Sequence, residues 1–209
     1  MYEYELKLLL NEDEFFKLLS LASFKEFSVF QTNYFFDTEN KLLSSIHYAL
    51  RIREEEKKFF LTLKGPKQKS KIFSVRLEKE EKLDALKAQK MIKDGFLLSE
   101  YKEILSLKFL AESLNITDAF FSVFLVFNNE RTTAFFLDSI KTVLDKTMYE
   151  DHLVSYELEM EGESEEDLLK KKSVLEQFFQ KNKINWNIAK ESKLKRVLNF
   201  IKTDMKEFL

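Results

Sequence analysis

The sequence predicts an α+β fold in which helices pack on one face of an antiparallel β-sheet. Three observations carry this. Several segments alternate apolar and charged residues with a period of two, as half-buried strands do. Others repeat apolar residues at helical spacing. The chain has 209 residues, 44% hydrophobic with 22 Phe, which suits one domain over residues 1–209 with a substantial core.

Residues 2–10 set Tyr2, Tyr4, Leu6 and Leu8 against Glu3, Glu5 and Lys7, which reads as a strand. Asn11 then caps a helix: Glu14 completes a capping-box pattern, and Phe15, Phe16, Leu18 and Leu19 recur at helical spacing. Strands are expected at Gln31–Thr38, Tyr48–Arg53 and Phe59–Lys64, with the charged run Glu54–Lys58 as an exposed hairpin tip and Gly65-Pro66 as a turn. Ile72–Glu80 alternates again. The Leu-, Lys-, Ala- and Glu-rich stretch Glu81–Asn115 predicts two helices broken near Gly95. Phe120–Leu137 reads as β-rich, interrupted at Asn128-Asn129, and Asp138-Ser139 turns the chain into a strand at Lys141–Lys146. Ser155–Glu161 is a further strand, Glu165–Lys181 an amphipathic helix, and a strand or loop near Trp186 precedes a helix from about Ser192.

Composition removes several function classes. Lys and Arg number 34 against 36 Asp and Glu, a net charge of -2, so neither a uniformly basic surface for nucleic acid or lipid nor an acidic tail is expected. Three Gly and one Pro leave no room for a Gly-rich phosphate loop, so phosphate would have to be held by side chains. The absence of Cys excludes thiolate chemistry and disulfides. Two histidines, His47 and His152, cannot build a three-histidine zinc site and read as surface residues. Any metal would be a hard cation on carboxylates. The longest apolar stretch, Ala119–Phe127, is too short to span a bilayer and the N-terminus is no signal peptide, so the expected compartment is the cytoplasm.

The informative pattern is charge at every second strand position: Glu3-Glu5-Lys7, Arg51-Arg53-Glu55, Arg76-Glu78-Glu80 and Glu157-Glu159-Glu161, with Thr62 and Lys64 on a fifth segment. Alternation puts each set on one face, opposite an apolar one. An open sheet with one wet face explains this without any function. A sheet closed into a barrel would turn the charges inward, where carboxylates would repel unless they held cations, and Lys and Arg would suit a polyanion bridged by those cations. Glu161 belongs to that face but, followed directly by Gly162, is expected at a strand end near solvent. The phenylalanines read as core packing, and Trp186 as structural.

These residues resemble a known family. Glu3-Tyr4-Glu5-Leu6-Lys7 is an ExExK motif, and QTNYFFDT (31–38), ALRIR (49–53), LTLKGP (61–66), VRLEKE (75–80), ERT (130–132), LD (144–145) and YELEME (156–161) follow in order. As a set they are similar to the CYTH domain of the triphosphate tunnel metalloenzymes, most like small bacterial members described as adenylate cyclase-like or thiamine triphosphatase-like. The resemblance implies a roughly eight-stranded antiparallel closed β-barrel with helices outside, and Mg2+- or Mn2+-dependent hydrolysis of a triphosphate. Inorganic tripolyphosphate is the first expected substrate, then thiamine triphosphate or nucleoside triphosphates. Carried over by position, Glu3, Glu5, Glu78, Glu157 and Glu159 would hold metal. Lys7, Arg51, Arg53, Lys64, Arg76, Arg131 and Lys190 would hold phosphate oxygens. Glu157, Glu159, Asp145 and Lys190 would serve catalysis, the carboxylates by positioning water. Two other readings stand beside this: a triphosphate- or polyphosphate-binding module without turnover, and a class IV-type adenylate cyclase. The cyclase reading is disfavoured because the His-Phe pair those enzymes carry upstream of ExExK does not precede Glu3. The partner would be a small triphosphate, with no nucleic acid or membrane, bound by a monomer or a homodimer.

Overall fold

A computed structural model describes residues 2–68, 73–116, 118–149 and 153–199. Ten strands run in chain order: β1 (Tyr2–Leu10), β2 (Phe24–Lys25), β3 (Val29–Asp37), β4 (Ala49–Glu55), β5 (Lys58–Lys64), β6 (Ser74–Leu83), β7 (Phe96–Leu97), β8 (Phe120–Phe136), β9 (Ile140–Tyr149) and β10 (Leu153–Gly162). Between them lie α1 (Glu12–Leu21), α2 (Leu42–Ser45), α3 (Ala85–Asp94), a 3-10 helix (Leu98–Tyr101) and α4 (Leu105–Leu114), with α5 (Glu165–Lys181) after β10. A further helical run covers residues 193–199.

Setting aside the two-residue strands β2 and β7, which extend the β8 edge, the remaining eight pair antiparallel in the ring β1-β6-β5-β4-β3-β8-β9-β10 and back to β1. The sheet is therefore the closed one of the two forms the alternation permits. Closure depends on β8, which is long enough to pair with β3 over Ser122–Arg131 and with β9 over Asn128–Phe136. It also removes the free sheet edges that an open form would expose.

The outward faces of the strands are apolar and the helices cover them. Beneath α1 and α5, Leu6, Leu8, Leu158 and Met160 pack with Phe15, Leu18, Leu168, Leu175 and Phe179. Beneath α3 and α4, Leu50, Ile52, Leu61 and Leu63 pack with Ala88, Met91, Leu107 and Leu110. Each such fully buried Leu or Phe contributes roughly 1.5–3 kcal/mol of transfer free energy, so the apolar half of each strand fixes which face turns out. A third cluster, Phe35, Leu125, Phe127 and Tyr149, takes in Val197 from the C-terminal helical run. Residues 187–189 lie along β1, through Leu9 N–H to the Asn187 carbonyl (2.7 Å) and Ala189 N–H to the Lys7 carbonyl (2.9 Å), and this leads residues 191–194 to the barrel interior.

Local signals explain most element ends. Asn11 Oδ1 accepts from Glu14 N–H (2.8 Å) while Glu14 Oε2 accepts from Asn11 N–H (3.0 Å), the expected capping box. Glu56 and Lys57 both take positive φ at the β4–β5 tip, as a two-residue hairpin with the native twist requires. Trp186 packs edge-on against Phe179, centroids 5.1 Å apart, a structural role. His47 sits in a turn at φ 64°; His152 and Ile72 lie outside the described residues.

Four expectations are corrected. Asn128-Asn129 does not interrupt β8, because the two carboxamides are satisfied across strands: Asn128 Oδ1 accepts from Thr32 Oγ1 (3.0 Å) and Asn129 Oδ1 from Thr147 Oγ1 (2.5 Å). Glu81–Leu83 continues β6 and is not helical; the Glu81 carboxylate instead accepts from Leu105 and Ser106 N–H (3.2 and 2.7 Å), capping α4 from a distance. The helices α3 and α4 are separated by β7 and the 3-10 helix, not by a simple break. Gly95 starts this segment at φ 72°, where a Cβ would stand 2.5 Å from the Phe120 ring. Gly65-Pro66 ends β5, but Gly65 N–H bonds the Leu77 carbonyl and Gln68 N–H the Val75 carbonyl (2.9 and 2.8 Å), so the chain runs on beside β6 without a tight turn there.

Candidate active site

The inward faces of the eight strands enclose a cavity of about 1430 Å³. Because inward positions meet inward positions across each ladder, the register fixes the charge pattern: Glu3 opposite Arg76, Lys64 opposite Glu78, Lys7 opposite Glu159, Glu157 and Arg131 both opposite Asp145, and Asn33 opposite Arg53.

Two carboxylate groups result. The inner one is Asp145, Glu157 and Glu159, with ligand oxygens within 4.8 Å of one another. Asp145 and Glu157 are fully buried and Glu159 nearly so. Protein cations already meet them. Arg131 reaches Asp145 and Glu159 (2.6 and 2.8 Å), Lys193 reaches Asp145 and Glu157 (2.6 and 3.0 Å), Lys7 reaches Glu159 (2.5 Å), and Arg196 is ion-paired to Glu157. Burial alone would raise the Asp145 carboxyl, but Arg131 and Lys193 outweigh it and hold it down at about 2. Burial likewise opposes charge on Glu159, and Lys7 and Arg131 hold it well below the usual carboxylate range. The ammonium of Lys7, disfavoured by burial, is raised by Glu159 and Glu5.

The outer group is Glu3, Glu78 and Glu161, with buried Glu5 next to them. Lys64 bridges Glu3 and Glu78 (2.9 and 3.0 Å), and Lys7 reaches Glu5 (2.8 Å). Burial raises the Glu3 carboxyl; Lys64 pulls it back, but hydrogen bonding to and repulsion from Glu78 leave it raised. Glu161 is open to solvent yet lies within the strand ring, and is raised by burial first and then by Glu3 and Glu5. At Glu3 and Glu161 burial and neighbouring carboxylates outweigh Lys64, the reverse of the balance at Asp145 and Glu159.

The third part of the wall is basic. Arg53 contacts Glu80 and Glu55 (3.3 and 3.7 Å), and Arg51 reaches Thr62 Oγ1 (3.3 Å). The Arg51 guanidinium is lowered by burial, then by repulsion from Arg53 and Arg131. Arg76 also lines the cavity, its Nε buried without a hydrogen bond.

Of the residues singled out in the sequence, Glu3, Glu5, Lys7, Arg51, Arg53, Lys64, Arg76, Glu78, Arg131 and Glu159 line the cavity together. Asp145 and Glu157 do not: they lie behind Arg131, Lys193 and Arg196. Lys190 is exposed and away from the wall; the lysine brought to the carboxylates is Lys193. Sequence reasoning missed Lys193 and Arg196, whose three-residue spacing puts both on one helical face beside buried Val197. Among the described residues no helix is long and apolar enough to cross a membrane.

Comparison with known proteins places this architecture. No curated protein matches significantly. Among solved structures, the proposed adenylyl cyclase of Hippeastrum, described as revealing a dominant triphosphatase activity, is 27% identical with a TM-score of 0.82, over 94% of this chain and 95% of that one. A proposed adenylate cyclase of Bacillus halodurans (23%, TM-score 0.71, 93% and 96%) and the PH1819 protein of Pyrococcus horikoshii (21%, TM-score 0.62, 94% and 98%) share the fold. Residues 1–197 match the CYTH domain family, and with this barrel and its charged interior the chain belongs to that family.

Proposed function

We propose that the protein is a divalent-metal-dependent triphosphatase, with inorganic tripolyphosphate as its first substrate and thiamine or nucleoside triphosphates as further ones. The observation that carries this is the basic wall: Arg51, Arg53, Arg76 and Arg131 line one cavity, where burial first and then repulsion from Arg53 and Arg131 lower Arg51, an arrangement relieved by a bound polyanion. The triphosphatase activity described for the Hippeastrum relative supports the same reading.

The donor set fits Mg2+ or Mn2+, which take carboxylate oxygens together with substrate phosphates. Glu3, Glu5 and Glu78 are the better placed ligands, since the carboxyls of Glu3 and Glu78 lie within hydrogen-bonding reach of each other. Glu157 and Glu159, also expected as ligands, already face ammonium and guanidinium groups. When bound, the ion supplies charge neutralisation of the phosphate chain and polarises water. The side chains do the rest. Arg51, Arg53, Arg76, Arg131 and Lys64 bind phosphate oxygens and align the chain for in-line attack. Glu159 alone of the expected catalytic carboxylates reaches the wall, where it positions water. Glu161, two residues on and raised, is the stronger base to take the proton.

Phosphate release from tripolyphosphate, ATP and thiamine triphosphate with Mg2+ or Mn2+ tests the proposal. Release by wild type that falls at least tenfold in Glu159→Gln and Arg51→Ala is expected, the loss of a transition-state contact costing about this much. No release from any of the three sinks it. One observation favours the second reading, a binding module without turnover: Lys193 sits where the inner carboxylates converge. Calorimetric binding of tripolyphosphate without any hydrolysis is the result that would select that reading.

A further inference from the structure

Most polar groups on the cavity wall are charged, and the neutral ones mostly have partners. Gln31 donates to Glu55 (2.7 Å), Asn129 accepts from Thr147, and Thr62 donates to Glu80 (2.8 Å). Asn33 differs. It lines the same cavity, is 1% exposed, and its Oδ1 is buried with no hydrogen-bond partner. Its ladder neighbours are Arg53 on β4 and Phe127 on β8, and the buried Arg53 Nε makes no hydrogen bond, with the Glu55 carboxylate 3.7 Å away. A buried carboxamide oxygen left without a donor is a destabilising choice for the folded chain by itself. Asn33 borders the cavity beside the Arg53 guanidinium, so a ligand group entering there can supply the donor it lacks.

Building on the triphosphatase reading, we infer that Asn33, together with Arg53, forms a subsite for the terminal phosphate of a linear phosphate chain. A carboxamide presents an N–H donor and an oxygen acceptor side by side. An internal phosphate offers only ionised oxygens and would leave the acceptor facing negative charge. A terminal phosphate, with a last pKa of about 6, offers both P–O⁻ and P–OH near neutrality and satisfies both edges. A water held here would accept a hydrogen bond from the Arg53 N–H and be the poorer nucleophile for it, so the position suits substrate recognition better than water activation. Asn33 is thereby a specificity residue for chain ends.

The test is steady-state kinetics with Mg2+ and two probes: the KM of linear tripolyphosphate, which the protein turns over, and the inhibition constant of cyclic trimetaphosphate, which has no chain end. Wild type should prefer the linear compound. Asn33→Leu should weaken tripolyphosphate about tenfold, the worth of one hydrogen bond to a charged group, change trimetaphosphate less than about twofold, and leave the melting temperature no lower than wild type. Asn33→Asp, nearly isosteric, should weaken the linear ligand further. Equal weakening of both ligands, or no change in either variant, overturns the inference while leaving the triphosphatase reading intact. Wild type that does not turn over tripolyphosphate overturns both.

Discussion

Two pairs of carboxyls in one barrel are shifted in opposite directions, Asp145 and Glu159 down and Glu3 and Glu161 up, and their surroundings say why. Asp145 and Glu159 are more deeply buried than Glu3 and Glu161, and burial alone would raise all four. Arg131, Lys193 and Lys7 reverse that, holding Asp145 and Glu159 down, while Arg196 is ion-paired to Glu157. The outer group has mainly Lys64, and Glu3 and Glu161 stay raised. Burial depth therefore does not decide the charge state here; the local balance of partners does. The inner group is a self-neutralised framework, while the outer group carries charge that an added cation can neutralise.

The sharpest way to break this contrast is to remove an inner cation. Lys193→Met strands charge on Asp145 and Glu157 and should destabilise by about 3–5 kcal/mol in denaturant unfolding. A loss below about 1 kcal/mol would mean that the inner pairs behave as surface pairs do. On the outer group the opposite sign is expected: Glu3→Gln relieves its repulsion with Glu78 and should stabilise on the order of 1 kcal/mol at neutral pH. Destabilisation of similar size would show that the Lys64 pair dominates.

The pH dependence separates the groups further. Asp145 and Glu159 have folded values below their unfolded ones, so their contribution is present above about pH 4 and is lost as pH falls toward 2. Glu3 and Glu161 have folded values above their unfolded ones, so theirs is complete below about pH 4.5 and lost as pH rises through the raised values. Melting curves across pH should show Glu3→Gln flattening the loss on the alkaline side, and Lys193→Met flattening the acid limb, because the depression of Asp145 and Glu159 shrinks without that cation. The smallest effect is expected at Lys190→Ala, within about 0.5 kcal/mol in stability and about twofold in tripolyphosphate affinity, because that side chain is exposed. A large effect there would restore Lys190 to the site in place of Lys193.

What the sequence revealed follows the range of the interactions involved. Period-two alternation in YEYELKLLL and YELEMEG, and the Asn11–Glu14 box, are local signals, and the corresponding strands and helix stand as expected. The cavity-lining charges of β1, β4, β5 and β6 were legible for the same reason: alternation alone assigns their face. Closure of the sheet was legible only through the ordered motifs that resemble the CYTH domain, since an open sheet has the same alternation and β8 pairing on both sides is what distinguishes them. Nor were Lys193 and Arg196, because cations spaced three apart near a chain end look identical whether they face water or a buried acid. Their partners, Asp145 and Glu157, are 36–48 residues away in sequence, and residues 187–189 lying on β1 lead the chain back to them.

The measurement closest to the central claim is Mn2+ binding followed by electron paramagnetic resonance in wild type, Glu3→Gln and Glu157→Gln, without substrate. A metal held by the outer group predicts at least about tenfold weaker binding in Glu3→Gln, as loss of a ligand-shell partner costs, with Glu157→Gln close to wild type. Mn2+ binding lost in Glu157→Gln and kept in Glu3→Gln would contradict it.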